Sequence, residues 1–173
     1  MKKEINFICS KILSDSLFSE AIARNLTGIG FLYPENAWSN LKKVFKFIRR
    51  TSDSDKILLK LVFLITESFE PDRGLNNFEK FLSGAKSPER YISIIQDNEE
   101  FLKNIIALFS GSQFLSDIAV KDERNINFLV EMDIDRPEGK ENLLKEIKNL
   151  LSSSYPPDEN YSIIRKFKNQ EFL

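Results

Sequence analysis

Hydrophobic residues recur every three or four positions through most of this chain, which is the spacing of helices that each bury one face. One stripe runs from Ile5 to Leu13 and a second from Trp38 to Ile48. A third lies within Phe101–Phe109 and a fourth within Leu143–Leu151. No stretch alternates apolar and polar residues for long enough to be a convincing strand, and valine occurs only four times. The pattern therefore predicts an all-α protein.

Helix-start and helix-end residues fall between the periodic stretches. The segment 87–89, Ser-Pro-Glu, has the chemistry of a helix start, with an N-cap residue followed by a first-turn proline. Asp97 and Glu100 have the spacing of a capping box. Gly84 and Gly111 stand where helices would end. These positions favour an irregular bundle of about ten short to medium helices.

The most hydrophobic run covers residues 57–65. Because it is apolar almost all round, it predicts a central helix that is surrounded by the others. It is far shorter than the roughly 20 residues that a membrane span needs, so we expect no membrane-spanning segment. We expect residues 1–151 to form the helical bundle, and residues 152–173 to form a linker and a terminal helix.

Composition narrows the possible functions. The 173 residues suit one domain, and the net charge of -1 provides no overall field that would attract nucleic acid. The chain has no histidine, and so lacks the commonest general base and metal ligand. Its one cysteine, Cys9, lies on the first apolar stripe and is expected to be a small core residue. One cysteine allows no internal disulfide, and we expect a cytoplasmic location.

Two groups of polar residues could carry chemistry. A basic cluster, residues 42–50, could bind phosphate or an acidic partner, although a solvated helix face is favoured. Ser112 after Gly111, with Asp133 and Asp135 later, has the residue types of a two-metal nucleotidyltransferase site. The spacing argues against that site, because no apolar strand precedes Gly111 or carries Asp133. We instead expect Gly111 to end one helix and Ser112 to cap the next.

Four short segments carry a resemblance to a known family. They are residues 72–73 (Asp-Arg), 76–82 (Asn-Asn-Phe-Glu-Lys-Phe-Leu), 108–117 and 164–168. Together they resemble the helical segments that precede the first catalytic domain of bifunctional glutamine synthetase adenylyltransferase/adenylyl-removing enzymes. The matching positions are Asp72, Asn76, Asn77, Phe78, Glu79, Phe81, Leu82, Phe109, Ser112, Phe114, Leu115, Asp117, Arg165 and Phe167.

The resemblance implies a non-catalytic helical region of such an enzyme. In that family none of the matching positions is a metal ligand or a base, so neither a catalytic nor a cofactor-binding role carries over to them. Magnesium and ATP would be bound by the catalytic domain, whose motif would follow residue 173, and this chain alone would be inactive. Glutamine synthetase and the PII signalling protein would be partners of the full-length protein. The alternative is a free-standing helical module for protein–protein interaction.

The motif residues also carry structural expectations. Asn76 and Asn77 are unusual inside a helix, because their side chains compete for backbone hydrogen bonds. We expect them to be buried and bonded to a neighbouring loop or helix end. The alternative is that they are exposed on the surface, after a helix cap at Asp72. Phe114 and Leu115 fit a short buried face, and Asp117 could accept a hydrogen bond from a neighbouring element. Alternatively, this segment contacts the catalytic domain.

Overall fold

A computed structural model describes residues 1–121 and residue 126, and residues 1–120 form one compact unit. The described part is all-α and contains eight helices and no strand, which confirms the predicted class. The helices are α1 (Lys2–Leu13), α2 (Glu20–Gly28), α3 (Pro34–Ile48), α4 (Ser54–Thr66), α5 (Pro71–Gly84), α6 (Pro88–Asp97), α7 (Glu99–Gly111) and α8 (Gln113–Lys121). None of these helices is long and apolar enough to cross a membrane.

Several helix boundaries fall at proline and glycine positions. Pro34, Pro71 and Pro88 occupy the first positions of α3, α5 and α6, where a missing N–H has no consequence. Gly84 and Gly111 are the last residues of α5 and α7, as predicted. The local sequence therefore fixes where these helices begin and end.

The predicted capping box is wrong. Asp97 is the last residue of α6, and Asn98 is the N-cap of α7. The Asn98 side chain accepts a hydrogen bond from the Phe101 amide at 2.9 Å, which satisfies one free N–H of the first turn. The helix break lies one residue later than the Asp97–Glu100 spacing suggested, because Asn98 takes the extended backbone conformation.

The core is built on α5, which packs against α3, α4, α6 and α7. Four rings meet there: Phe78, Phe81, Tyr91 and Phe109. Phe81 and Tyr91 are the closest pair, with ring centroids 4.7 Å apart in an edge-to-face arrangement. These aromatic contacts join α5, α6 and α7 into one apolar interior.

The predicted stripes are buried with few exceptions. In the third stripe all five apolar residues are buried: Phe101, Leu102, Ile105, Ile106 and Phe109. The first stripe is buried except for Leu13, and the second is buried except for the half-buried Phe45. The fourth stripe lies outside the described residues, as does the predicted boundary between residues 151 and 152.

The predicted central position of the apolar helix is not confirmed. This helix is α4, and its buried face packs against α1, α3, α5 and α7. Its opposite face is open, since Leu59 and Phe63 are 40% and 46% exposed. α4 therefore carries apolar residues both on its packed face and on its surface face, and it is not enclosed on every side.

Candidate functional site

The motif residues of α5 meet the ends of two other helices. Glu70 is the N-cap position of α5 but makes no side-chain capping bond. The polar side chains that follow it along α5 point outward to the start of α3 and to the end of α7. The site is therefore a set of side-chain caps contributed by one helix to its neighbours.

Asp72 binds the segment that leads into α3. Its Oδ2 accepts a hydrogen bond from the Leu32 amide at 2.7 Å, and its Oδ1 accepts one from the Tyr33 amide at 3.2 Å. Asp72 therefore caps the start of α3, about 40 residues earlier in the chain, and not its own helix as the alternative interpretation had it. A carboxylate in this place also suits the positive end of α3.

A glycine turn brings the α3 segment to Asp72. Gly30 has φ +103°, a left-handed conformation that other residues rarely adopt. The Gly30 amide bonds to the Thr27 carbonyl at 3.1 Å, and the Phe31 amide bonds to the Leu26 carbonyl at 3.1 Å, which closes the end of α2. The chain thus reverses direction and presents the two amides that Asp72 accepts.

Arg73 caps the carboxyl end of α7. Its Nε donates to the Ser110 carbonyl at 2.8 Å, and its Nη2 donates to the same carbonyl and to the Gly111 carbonyl at 3.2 Å. Its Nη1 lies 3.1 Å from the Glu70 carboxylate. The guanidinium group satisfies the last carbonyls of α7 at the negative end of the helix.

Asn77 completes the cap from a buried position. It is 1% exposed, and its Nδ2 donates to the Phe109 carbonyl at 3.0 Å and to Gln113 Oε1 at 3.2 Å. Gln113 Nε2 donates back to Asn77 Oδ1 at 3.3 Å. The prediction that this asparagine is buried and bonds to a helix end is confirmed. Its neighbour Asn76 is only half-buried, and its side chain has no hydrogen bond within the described residues.

The turn between α7 and α8 follows the structural expectation for Gly111 and Ser112. Gly111 ends α7, and the Ser112 hydroxyl accepts a hydrogen bond from the Leu115 amide at 3.3 Å. The Ser116 hydroxyl donates to the Ser112 carbonyl at 2.7 Å. Ser112 is therefore a helix cap, as expected.

Close packing of α5 against α7 depends on Gly74, which the sequence analysis did not single out. A Cβ at this position would lie 3.2 Å from Ser110 Cβ and 3.5 Å from Ser68 Oγ. Only a residue without a side chain lets the two helices approach this closely. The hint in the sequence is a glycine inside a helix, between the polar Arg73 and the apolar Leu75.

The remaining motif residues of α5 serve the core. Phe78, Phe81 and Leu82 are at most 3% exposed. Glu79 is also largely buried, and its carboxylate accepts a hydrogen bond from Ser83 Oγ at 2.8 Å and lies 3.7 Å from Lys43 Nζ. These positions therefore hold α5 in the bundle.

The predicted buried face at the start of α8 is wrong for Phe114, which is 63% exposed. Leu115 is half-buried, while the small residues Ser116 and Ala119 form the packed face. Asp117 accepts a hydrogen bond from Gln113 Nε2 at 2.7 Å, so its partner lies in its own helix rather than in a neighbouring element. Small residues let α8 lie close to the end of α7, and this rotates Phe114 to the surface. Arg165 and Phe167 lie outside the described residues.

A polar cleft of about 620 Å³ opens beside this capping network. α3 forms one wall with Tyr33, Asn36, Asn40 and Lys43. The first half of α5 forms the opposite wall, and Gln113 of α8 contributes at one end. We call this feature the α3–α5 cleft.

Large apolar side chains stand next to the cleft-lining residues. Leu32, Phe69 and Phe114 are 79%, 82% and 63% exposed, and each directly adjoins in sequence a residue that lines the cleft. Phe69 also lines a separate depression of about 350 Å³, together with Lys103 and Ile106 of α7.

The basic cluster on α3 is only partly neutralised. Lys42 Nζ lies 2.6 Å from Asp15 Oδ1, and its hydrogen bond holds the pKa of that carboxyl below its ordinary value. Lys46, Arg49 and Arg50 line a depression of about 400 Å³ and form no ion pair within the described residues. The cluster is thus an exposed positive surface at the carboxyl end of α3, where cations also stabilise the helix.

The acidic residues and the cysteine of the described part of the chain do not cluster. No group of three or more histidine, cysteine, aspartate or glutamate side chains in residues 1–121 could hold a metal ion. Cys9 is buried, and its burial, with a smaller contribution from the charge of Asp55, raises the pKa of the thiol to about 12. That thiol is a core group, as predicted, and not a nucleophile. Asp133 and Asp135 lie outside the described part of the chain.

The site and the fold together define an all-α unit whose motif residues cap helices. No family model and no solved structure matches the chain. The chain is similar to bifunctional glutamine synthetase adenylyltransferase/adenylyl-removing enzymes, and these similarities support a relation to that family. The relative from Corynebacterium glutamicum is 22% identical over 163 residues, which cover 90% of this chain and 15% of the relative.

Two further relatives carry the same name. The protein from Bifidobacterium longum strain DJO10A is 25% identical over 115 residues, which cover 66% of this chain and 11% of the relative. The protein from Nocardia farcinica is 24% identical over 116 residues, which cover 66% of this chain and 12% of the relative. The matched part is therefore a small share of each of these curated relatives.

Proposed function

We propose that this chain is a non-catalytic helical region of a protein that transfers AMP to or from glutamine synthetase. Its role would be to brace the nucleotidyltransferase domain and to help present the target protein. Magnesium and ATP would be bound by that domain, and PII would regulate the full-length protein in the cytoplasm. No cluster of metal-binding side chains lies within residues 1–121, and we assign no chemical step to them.

The observation that carries the proposal is the role of the motif residues. Asp72 and Asn77 belong to the segments that resemble the family, and both bond to the ends of other helices. Residues that build a capping network preserve a scaffold, because their removal leaves backbone groups without partners. The similarity to the curated relatives and this structural role support the same function.

Absence of catalysis is tested directly. Purified chain is incubated with adenylylated glutamine synthetase, phosphate and magnesium, and ADP release is followed. The full-length relative from Corynebacterium glutamicum serves as the active control. We expect no ADP above the enzyme-free blank from this chain, and clear release would contradict a non-catalytic role.

Partner binding is tested separately by sedimentation velocity, with purified glutamine synthetase from the same organism. We expect the chain to sediment with it through the exposed side chains of Phe69 and Phe114. The double substitution Phe69→Ser/Phe114→Ser should abolish cosedimentation. The control Leu17→Ser changes an 85% exposed leucine that adjoins no cleft-lining residue, and it should leave binding intact. Wild-type chain that sediments alone would refute the proposed role at this target.

The exposed apolar residues also favour the second candidate, a free-standing helical interaction module. Such a module would use the same side of the unit but would not recognise glutamine synthetase. The reading frame downstream of codon 173 separates the two. An open reading frame that continues into a predicted β-strand followed by Gly-Ser and Asp-x-Asp motifs would support the adenylyltransferase role. A stop codon at that point would support the interaction module.

A further inference from the structure

The depression at the carboxyl end of α3 carries a positive charge that its own walls do not cancel. Its described lining contains one carboxylate, that of Glu89, and four cationic side chains: Lys43, Lys46, Arg49 and Arg50. All four cations are exposed. A concave surface lined mainly by one sign of charge concentrates ions of the opposite sign. We call this feature the α3 basic depression.

Two nearby carboxylates are held by other lysines and reduce this charge without removing it. Asp15 Oδ1 lies 2.6 Å from Lys42 Nζ, and Glu79 Oε1 lies 3.7 Å from Lys43 Nζ. Asp15 also interacts through space with two further cations of this cluster, without an ion pair to either. Even with Glu89 included, these three carboxylates stand against the five cations of residues 42–50. An excess of positive charge therefore remains for an external anion.

The size of the depression favours a small molecule over a protein surface. Its volume is about 400 Å³. Small-molecule sites range from about 300 to 1,000 Å³, whereas a stable protein interface covers about 800 Å² on each partner. Lys43, Lys46 and Arg50 follow helical spacing along one face and span about 10 Å of the axis. A row of cations of this length can contact two anionic groups that lie side by side in one ligand.

Phosphate groups suit these cations better than carboxylates. A phosphate group has three acceptor oxygens, so it can accept from a guanidinium fork and from an ammonium group at the same time. Two linked phosphate groups can thus reach both arginines and Lys46 together. The half-buried ring of Phe47 also lines the depression and offers an apolar contact beside the cations.

We propose that the α3 basic depression binds a small molecule that carries a diphosphate group, held by Lys46, Arg49 and Arg50. These three cations form no ion pair in the described part of the chain, so binding breaks no existing pair. The ligand also relieves the mutual repulsion of cations that share one depression. This proposal stands independently of the role at glutamine synthetase.

The test uses the complete chain labelled with ¹⁵N and titrated with pyrophosphate in metal-free buffer of low salt and slightly acidic pH. The Nε–H signals of arginine are observed directly, and each Arg→Gln variant identifies its own signal by its loss. We expect the signals of Arg49 and Arg50 to shift together, with a dissociation constant of about 1 mM or below. Affinity should fall as sodium chloride is added, because salt screens exposed charges.

Other anions define the ligand chemistry. Inorganic phosphate should bind about tenfold more weakly than pyrophosphate, because one group reaches fewer of the cations. Citrate places its charge on carboxylates and should bind at least about threefold more weakly. Citrate that binds as tightly as pyrophosphate would overturn the assignment to phosphate. ADP separates the two sources of a diphosphate group: binding at least as tight as that of pyrophosphate would assign the depression to an organic diphosphate, and weaker binding to free pyrophosphate.

Matched variants complete the test. Arg49→Gln/Arg50→Gln should weaken pyrophosphate binding about tenfold, because two charge-assisted contacts are lost. Lys3→Gln/Arg24→Gln removes the same charge from exposed positions on α1 and α2 that do not line the depression, and it should leave the affinity unchanged. Far-UV circular dichroism checks that each variant is folded. An equal loss in both variants would reveal a general charge effect and overturn the proposal, as would arginine signals that do not shift.

Discussion

Replacing Asn77 by alanine tests the capping network most directly. The change removes the donor to the Phe109 carbonyl at 3.0 Å and the reciprocal bonds to Gln113. The Ser116 hydroxyl also lies 3.5 Å from the Phe109 carbonyl, but this contact is long and weak, because its single hydrogen is closer to the Ser112 carbonyl at 2.7 Å. A buried acceptor without a partner costs about 1–3 kcal/mol. Alanine recovers roughly 0.5 kcal/mol in helix propensity, so we expect a net loss of about 2 kcal/mol in the free energy of unfolding.

The adjacent asparagine provides the control. Asn76→Ala is the same chemical change on the same helix, but its side chain is half-buried and has no hydrogen bond within the described residues. It should change stability by no more than about 0.5 kcal/mol. Urea unfolding followed by circular dichroism should place the midpoint of Asn77→Ala about 1 M below that of Asn76→Ala. Equal midpoints would refute the inference that the buried amide holds the end of α7.

Three other predictions follow from the packing and the caps. Gly74→Ala should be less stable than Gly84→Ala by about 1–2 kcal/mol in urea unfolding, because a Cβ at residue 74 meets another Cβ at 3.2 Å while a Cβ at residue 84 meets nothing within 4 Å. Equal stability of the two variants would count against tight α5–α7 packing. Arg73→Lys should lose about 1 kcal/mol in the same assay, because an ammonium group cannot bond to two carbonyls and a carboxylate with the geometry of the planar fork. Cys9, whose pKa is raised to about 12, should react with a thiol reagent at pH 8 only after unfolding; rapid labelling of folded protein would contradict its burial.

The periodic pattern predicted the helical class and most buried faces correctly. The buried faces of α1, α3 and α7 could be predicted locally, because the spacing of apolar residues determines which face a helix buries. Gly84 and Gly111 ended helices where expected, because backbone freedom at a helix end is also a local requirement. Local physics thus accounts for these apolar faces and for these two helix ends.

The errors arose where tertiary contacts decide. Asp72 bonds to the segment before α3 rather than to the start of its own helix, and no local rule identifies a partner so far away in the chain. Phe114 was expected to be buried because it is large and apolar, yet the close approach of α8 selects Ser116 and Ala119 for the packed face. Long-range geometry, rather than propensity, determined both outcomes.

The capping network explains why polar residues stand in the interior of α5. A bundle of short helices has many free N–H and C=O groups, because each helix leaves four unsatisfied at each end. Side chains of α5 bond to such backbone groups on two neighbouring helices. Asp72 accepts from amides of the segment before α3, and Arg73 and Asn77 donate to carbonyls at the end of α7. The same helix also buries phenylalanines, so its apolar residues pack in the core while its polar residues cap neighbouring helices. A protein that keeps such a helix retains the arrangement of α3, α5 and α7, and with it both walls of the α3–α5 cleft.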